Sequence, residues 1–392
     1  MKKVSIKVSN NEGYIIKEWS KATFDGFSKE INAGLGECLI TLGEKIDYQG
    51  PELKLGNIVD IIISDDDTTV EGYKKIYSGY ISMIEPVIDG GKENILVHVL
   101  GHYTKLSVDF LKDGSTTTLY SDSSAGLTTT PTGDAADLGL IIRGIIDRYK
   151  AETANAKLYY NKTSIPDAGQ TALYTIALKT YREAFDKIIS MYDSNYFYYI
   201  DENGLISIKQ KPTAPTHIFQ FGKHFKSIKM QKSMEKIRNN LIVWNGEAPG
   251  PGEVYNNYKD DASIAQYGRR SEYIEDFGIA DDSSADKIGA KFIAENKDPD
   301  IKVICELIDN GLDPVNGYDI DSVQPGDSCS FIGFNQSLSN ILVENMLITK
   351  VDYTLDKITL TIEMSKSGII NWQDKTAKEV NDLRSQGIPP TY

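Results

Sequence analysis

One run of strands and turns is spelled out twice in this chain, once near each end. Near the N-terminus an apolar strand, Glu37-Cys38-Leu39-Ile40-Thr41-Leu42, precedes Leu55-Gly56-Asn57-Ile58-Val59-Asp60-Ile61. Gly79-Tyr80-Ile81-Ser82-Met83-Ile84 follows, and a strand at Ile95 to Leu100 closes the set. Near the C-terminus Val303-Ile304-Cys305-Glu306-Leu307 precedes Gln324-Pro325-Gly326-Asp327-Ser328-Cys329-Ser330-Phe331. Asn345-Met346-Leu347-Ile348-Thr349-Lys350-Val351 follows, and Ile358 to Glu363 closes. In both, a turn glycine feeds a strand, a long excursion follows, and two alternating strands joined by a tight turn complete the pattern. The span from glycine to returning strand is Gly56 to Ile81 in one copy and Gly326 to Ile348 in the other. Duplication explains this, as does the common look of small β-barrels. Two similar β-domains on one chain change the symmetry that an oligomer can present.

Between the two sets the pattern changes. Residues 111–133, rich in Ser, Thr, Gly and Asp, read as a loop or linker. Asp134 is placed to cap a helix whose stripe is Leu138, Ile141, Ile142, Ile145, Ile146 and Tyr149. Thr180 and Glu183 form a capping box for a second helix with Ala184, Phe185, Ile188, Ile189 and Tyr192 on its apolar face. A hairpin with an Asn203-Gly204 turn follows. After Pro212 and Pro215 strands return, interrupted by one helix capped by Asp282 or Ser283, and 246–262 reads as a long loop. The expected fold is mainly β with an α+β insert. It divides into a first β-barrel domain (1–110), the linker (111–133), an α+β module (134–216), a second β-barrel domain with an inserted helix (217–365) and a C-terminal connector (366–392).

Composition narrows the function. The 392 residues carry a net charge of −14, the wrong sign for gripping duplex DNA and the right one for a surface that lets a polyanion slide past, although plain solubility explains it equally. No stretch approaches about 20 apolar residues, so no membrane insertion is expected. The start is alternating and charged, unlike a signal peptide. Cys38, Cys305 and Cys329 are too scattered for a disulfide framework or a zinc site and fit synthesis in a reducing cytosol.

The order of these segments resembles the baseplate or tail-tip hub of tailed bacteriophages, including the N-terminal region of tail-associated lysins and prophage tail endopeptidases. Ala33 to Leu42 looks like the early Gly-to-strand segment, Tyr77 to Ile81 like the strand after the long hairpin of the first barrel, and Val97 to Tyr103 like its closing strand. Thr180 to Met191 with the Tyr196 hairpin, Tyr267-Gly268-Arg269-Arg270 with the helix from Asp282, Val323 to Asp327, and Leu347 to Tyr353 continue the likeness in order. The resemblance implies two tail-tube-like barrels per chain and a homotrimer. Its ring would adapt a sixfold tail tube to a threefold tip and line the DNA ejection channel. Implied partners are the tail tube or distal tail protein above, tip, spike or fibre proteins below, and the tape measure protein. The implied location is the virion, after synthesis in the host cytoplasm. The alternatives are a tail-associated cell-wall hydrolase and a receptor-binding adhesin using the loops 111–133 and 246–262. A hydrolase domain would follow the hub, and this sequence ends soon after the last strand.

Chemistry-bearing residues are sparse. His98 and His102 have zinc-binding spacing for a helix but lie in strand-like sequence. Asp65-Asp66-Asp67 lacks the ligand spacing of a calcium loop and reads as a hairpin tip. Asp319, Asp321 and Asp327, with Asp309-Asn310-Gly311, offer a weak ion site or an ordinary acidic loop. No nucleophile elbow or phosphate loop occurs, so no catalytic residue, cofactor or metal is assigned and the protein is not read as an enzyme. Arg269, Arg270 and Trp372 are the candidate interface residues, and the tail ending Ile388-Pro389-Pro390-Thr391-Tyr392 is a candidate docking segment.

Overall fold

The computed structural model describes residues 3–19, 22–43, 48–64, 73–89, 92–111, 117–120, 136–153, 157–172, 174–177, 179–193, 195–247, 249–250, 252–279, 281–308, 318–333, 345–355 and 357–363. The N-terminal third supplies β1 (Lys3–Ser9), β2 (Ile15–Trp19), β3 (Thr23–Phe24), β4 (Phe27–Glu30), β5 (Cys38–Leu42), β6 (Ile58–Ser64), β7 (Tyr73–Asp89) and β8 (Lys92–Gly101). Seven of these make one antiparallel sheet in the order β2-β1-β6-β7-β8-β5-β3. Alternation sets the register, because a slip by one residue would turn Val97, Val99, Ile40 and Cys38 away from the core. All four are fully buried.

The middle of the chain opens with the short strands β9 (Phe110–Leu111), β10 (Thr117–Tyr120) and β11 (Ala136–Asp137), and then the helix α1 (Leu138–Thr153). β12 (Thr171–Ala172), β13 (Tyr174–Ala177) and β14 (Lys179–Thr180) pair back onto them. α2 (Tyr181–Ile189) and the hairpin of β15 (Tyr196–Ile200) and β16 (Ile206–Gln210) complete this part. The capping box of α2 forms as its sequence dictates, with the Glu183 N–H donating to the Thr180 hydroxyl and the Thr180 N–H to the Glu183 carboxylate. The cap of α1 is Asp137, whose carboxylate accepts from the Gly139 and Leu140 N–H groups; Asp134 lies outside the described residues.

The last third holds β17 (His217–Gln220), β18 (Phe225–Ser233), β19 (Asn240–Trp244), β20 (Tyr255–Lys259), α3 (Asp261–Tyr267), β21 (Ser271–Glu275), α4 (Asp282–Asn296), β22 (Asp300–Ile308), β23 (Ser328–Ile332), β24 (Met346–Tyr353) and β25 (Lys357–Glu363). A second curled sheet runs β17-β23-β24-β25-β22-β18, and β4 from the first third adds to β24. Asp281, one residue before the expected cap, accepts the Ser284 N–H and starts α4. The span expected as a long loop contains β20, an edge strand of sequence Tyr-Asn-Asn-Tyr-Lys whose asparagines hide its strand character.

The two sheets share a core of four strands. Each has one sequence order and one spatial order, β6-β7-β8-β5 in the first and β23-β24-β25-β22 in the second, with every neighbour antiparallel. The likeness reaches single bonds. A short 3-10 turn precedes each entering strand, at Pro51–Leu53 and at Ile320–Ser322. Gly56 at φ +87° and Gly326 at φ +91° then take a conformation that favours glycine. The Gly56 N–H donates to Ile81 O and the Gly326 N–H to Ile348 O, both at 2.8 Å. The two isoleucines donate in return to Asn57 O and Asp327 O, both at 2.9 Å. A bulge follows each isoleucine at once, between Ile81 and Met83 and between Ile348 and Lys350. Ile81, Val99 and Cys38 align across the first sheet as Ile348, Ile362 and Val303 align across the second. The copies differ on the far side of the entering strand, where β1 lies antiparallel to β6 and β17 lies parallel to β23.

Two cores result. One is continuous through both sheets, from Ile6 and Val8 to Leu360 and Ile362. The other joins α1, α2 and the β15–β16 hairpin to Leu241, Val243, Ala285, Ile288 and Ile293, so the helix inserted between β18 and β22 packs on the middle module.

Candidate assembly interface

The segment that binds the parts together starts at Gly26. Its φ of +128° ends the pairing of β3 with β5, and Tyr353 O lies where a side chain would stand. The chain therefore leaves the first sheet and runs as β4 along β24 of the second. Phe27 carries this crossing. Its ring lies 4.8 Å from that of Tyr77 in the first sheet and 5.2 Å from that of Tyr353 in the second, stacked on the latter. The Tyr77 hydroxyl lies 2.8 Å from both Gly36 O and Val99 O, and the Tyr353 hydroxyl donates to Asp321 at 2.7 Å. Burying a phenylalanine here contributes about 1.5–3 kcal/mol.

Beyond β4 the chain clips the middle module. Asn32, at φ +53°, donates its N–H to Tyr198 O at 2.8 Å and accepts the Tyr198 N–H on Oδ1 at 3.0 Å. Asparagine tolerates this conformation better than most residues. The Tyr198 hydroxyl lies 2.5 Å from Asn32 O and 2.8 Å from Asp186 of α2. Burial, then the Asp186 charge, push this phenol well above its ordinary pKa, so it stays a donor. Lys29 is also buried, and burial lowers its pKa. Its Nζ donates to Gln324 Oε1 at 3.2 Å, the atom that the Tyr199 hydroxyl also approaches, and lies 3.9 Å from Glu202. Residues from the first third, the middle hairpin and the last sheet thus meet within one network. Sequence patterns did not point to Lys29, and Gln324 stood out only as part of the turn before β23.

The candidate interface arginines stand at the turn between α3 and β21. Arg269 is exposed and donates from Nη2 to Asn240 Oδ1 at 2.9 Å. Arg270 is half-buried, its N–H donates to Asn239 Oδ1, and its Nη1 reaches Met234 O at 3.3 Å. Both pin the start of β21 to β19. Trp372, the tail 366–392, the run Asp65 to Asp67 and the run Asp309 to Gly311 lie outside the described residues.

The other singled-out side chains serve the fold. β8 ends at Gly101, so His98 and His102 enter different surroundings. His98 Nδ1 lies 2.6 Å from Glu37, whereas His102 is buried with Nε2 3.1 Å from the Ser78 hydroxyl. Burial, then Lys105, Lys157 and Lys75, lower the His102 pKa to about 3. Asp319 accepts the Asp321 N–H, Asp321 accepts from Tyr353, and Asp327 accepts the Gln324 N–H and lies 3.1 Å from His217 Nε2. These three acids shape the turn before β23.

No family model and no curated protein matches the sequence. Solved structures do match the fold. The 43 kDa tail protein of prophage MuSo2 from Shewanella oneidensis superposes with a TM-score of 0.61 at 14% identity, over 92% of this chain and 98% of that one. A tail protein from Neisseria meningitidis MC58 gives 0.56 at 11% identity, over 94% and 97%. Prophage tail protein gp18 from Listeria monocytogenes EGD-e gives 0.56 at 12% identity, over 95% and 98%. The chain shares the fold of these tail proteins over more than nine-tenths of its length.

Proposed function

We propose that this chain, sharing its fold with prophage tail proteins, is a structural hub of a phage tail tip or baseplate. Three copies form a ring, and each contributes two alike sheets, so six similar units face the tube above while the tip below sees a threefold axis. The observation that carries this proposal is the four-strand core repeated bond for bond around Gly56 with Ile81 and Gly326 with Ile348. A chain that merely needed two β-domains would have no cause to keep the same glycine, isoleucine and bulge in both. The crossing at β4 supports the same view, since it fixes one sheet against the other and spares a ring from ordering them at assembly.

In this account residues 1–110 and 217–365 are the tube-like units and 134–216 the module beside them. The protein works by shape, with no cofactor and no catalytic step. Its neighbours are the tail tube or distal tail protein above, tip, spike or fibre proteins below, and the tape measure protein. DNA passes along the axis without sequence-specific contact, and a net charge of −14 opposes adhesion of phosphates. Arg269, Arg270 and Trp372 are proposed contacts to those neighbours. The protein resides in the virion after synthesis in the host cytoplasm. The test is mass in solution, with and without the adjacent tube protein. A trimer in either condition supports the proposal, and a monomer or dimer in both overturns it.

A further inference from the structure

The junction inside the chain is a strand pairing, and among the described residues its counterpart in the other copy of the fold is uncovered. The last part of β24 is paired on one side by β25 and on the other by β4, with Lys350 opposite Glu30, Val351 opposite Lys29, Asp352 opposite Ser28 and Tyr353 opposite Phe27. By the match of Ile81 to Ile348, the equivalent part of β7 is Met83 to Pro86. There β7 pairs with β8, but its pairing with β6 ends at Tyr80. Among the described residues no strand runs along the other edge from Ser82 to Ile88. Met83 and Ile88 on this stretch are 46% and 76% exposed. A row of open backbone groups is a template for another strand.

The complement lies at the far end of the second sheet. β18 stands to β22 as β3 stands to β5: Ile228 faces Cys305 where Phe24 faces Ile40. In the first copy the residue added at Gly26 then turns the chain onto β24. In the second copy β18 continues straight, and among the described residues no strand covers its outer edge. Charge favours a meeting of the two edges. Lys229 and Lys232 stand exposed on β18, whereas Glu85 stands exposed on the open stretch of β7.

We propose that β18 of one copy adds antiparallel to the open half of β7 of the next, repeating between copies the pairing that β4 makes with β24 within one. This rests on the ring described above and names the surfaces that close it. Each copy offers one edge of each kind, so the contact is head to tail and propagates around an axis. Allowing for the extra residue at Gly26, Met230 takes the place of Phe27 and Lys232 that of Lys29, which sets Gln231 opposite Glu85. The Ile31 N–H donates to Thr349 O, so alternate residues through Val351 and Tyr353 turn their backbone toward β4. Pro86 stands where Tyr353 stands. It therefore sacrifices no bond to β8, and the ladder with β18 lacks one donor at that position.

The experiment is a double variant, Glu85→Cys with Gln231→Cys, both at exposed positions. The native Cys38, Cys305 and Cys329 are all buried. The pair corresponds to a position in the ladder where Cα atoms approach to about 4.5 Å, within disulfide range. Oxidation in the presence of the tube protein is expected to give covalent dimers and a closed trimer that reductant returns to monomer, with neither single variant cross-linking. A wild-type trimer whose double variant fails to cross-link overturns the edge pairing and leaves the ring standing. Cross-linking that stops at a dimer, or that a single variant also shows, overturns it as well. A wild-type protein that stays monomeric or dimeric on the tube protein removes the ring itself.

Discussion

Ser82 and Thr349 hold the same post in two sheets. Each is the unpaired residue of a bulge in the returning strand, and each turns its hydroxyl onto a carbonyl of the strand alongside, Ser82 to His98 O at 3.0 Å and Thr349 to Thr361 O at 3.2 Å. His98 and Thr361 are the residues opposite the first position after each bulge. A bulge leaves the ladder short of a donor, and a hydroxyl residue in it restores one.

Removing either hydroxyl should cost about 1 kcal/mol, the net worth of one hydrogen bond. Ser82→Ala and Thr349→Val are expected to lower the urea midpoint separately and, lying in different sheets, to add in the double variant. Losses of less than a few tenths of a kcal/mol in both would show that the two bulges do not depend on their hydroxyls.

The equivalent glycines should not be equally replaceable. Gly56→Ala meets only backbone strain, about 1–3 kcal/mol, since nothing lies near its missing side chain. At Gly326 a side chain would overlap the ring of the buried Phe197, adding roughly 1–3 kcal/mol of overpacking. Chemical denaturation should rank Gly326→Ala below Gly56→Ala, and the reverse order would contradict the packing at the module junction.

His102 should make stability fall in mild acid. Unfolded, its imidazole takes a proton at its ordinary 6.5; folded, burial and three nearby lysines hold it to about 3. The unfolded chain therefore binds the extra proton between those values, and this contribution is complete above 6.5 and lost as pH falls toward 3. His102→Gln should flatten the loss of urea midpoint between pH 6.5 and 4. Parallel pH profiles for variant and wild type would exclude the effect.

Asp276 ties the inserted strands and helix to α2. Burial opposes its charge, but Lys187 at 2.7 Å and Lys179 at 3.5 Å outweigh burial and hold its pKa to about 2. Lys187 is itself buried. Asp276→Asn leaves that ammonium without its charge partner and should cost about 3–5 kcal/mol. Hydrogen exchange should place the loss in α2 and in β19 to β21; an unchanged exchange pattern would argue against the tie.

Strand sets, helix stripes and the capping box were legible because each is a local pattern: a β-branched run at Ile58 to Ile63, spacing of three and four at Leu138, Ile141 and Ile145, Thr180 three residues before Glu183. The match of Gly56 with Gly326 and of Ile81 with Ile348 was legible for the same reason, since turn and strand are adjacent in sequence. The crossing of β4 was not. Phe27-Ser28-Lys29-Glu30 is too short to show a period, and its partner β24 lies at the other end of the chain. Likewise Leu241 and Ile288 read as apolar positions, but no local feature says that they cover the core of α1 and α2. The arginines at 269 and 270 drew attention by charge, and their contacts within the chain depend on Asn239 and Asn240, which a charge pattern does not reveal.

The most direct test is a reconstruction of the assembled tail end made without imposed symmetry. Three copies of this chain should encircle the axis, with the β5–β8 and β22–β25 cores alternating at six near-equal angular steps against the tube. Six copies in the ring, or a single sheet of each chain facing the axis, would contradict it.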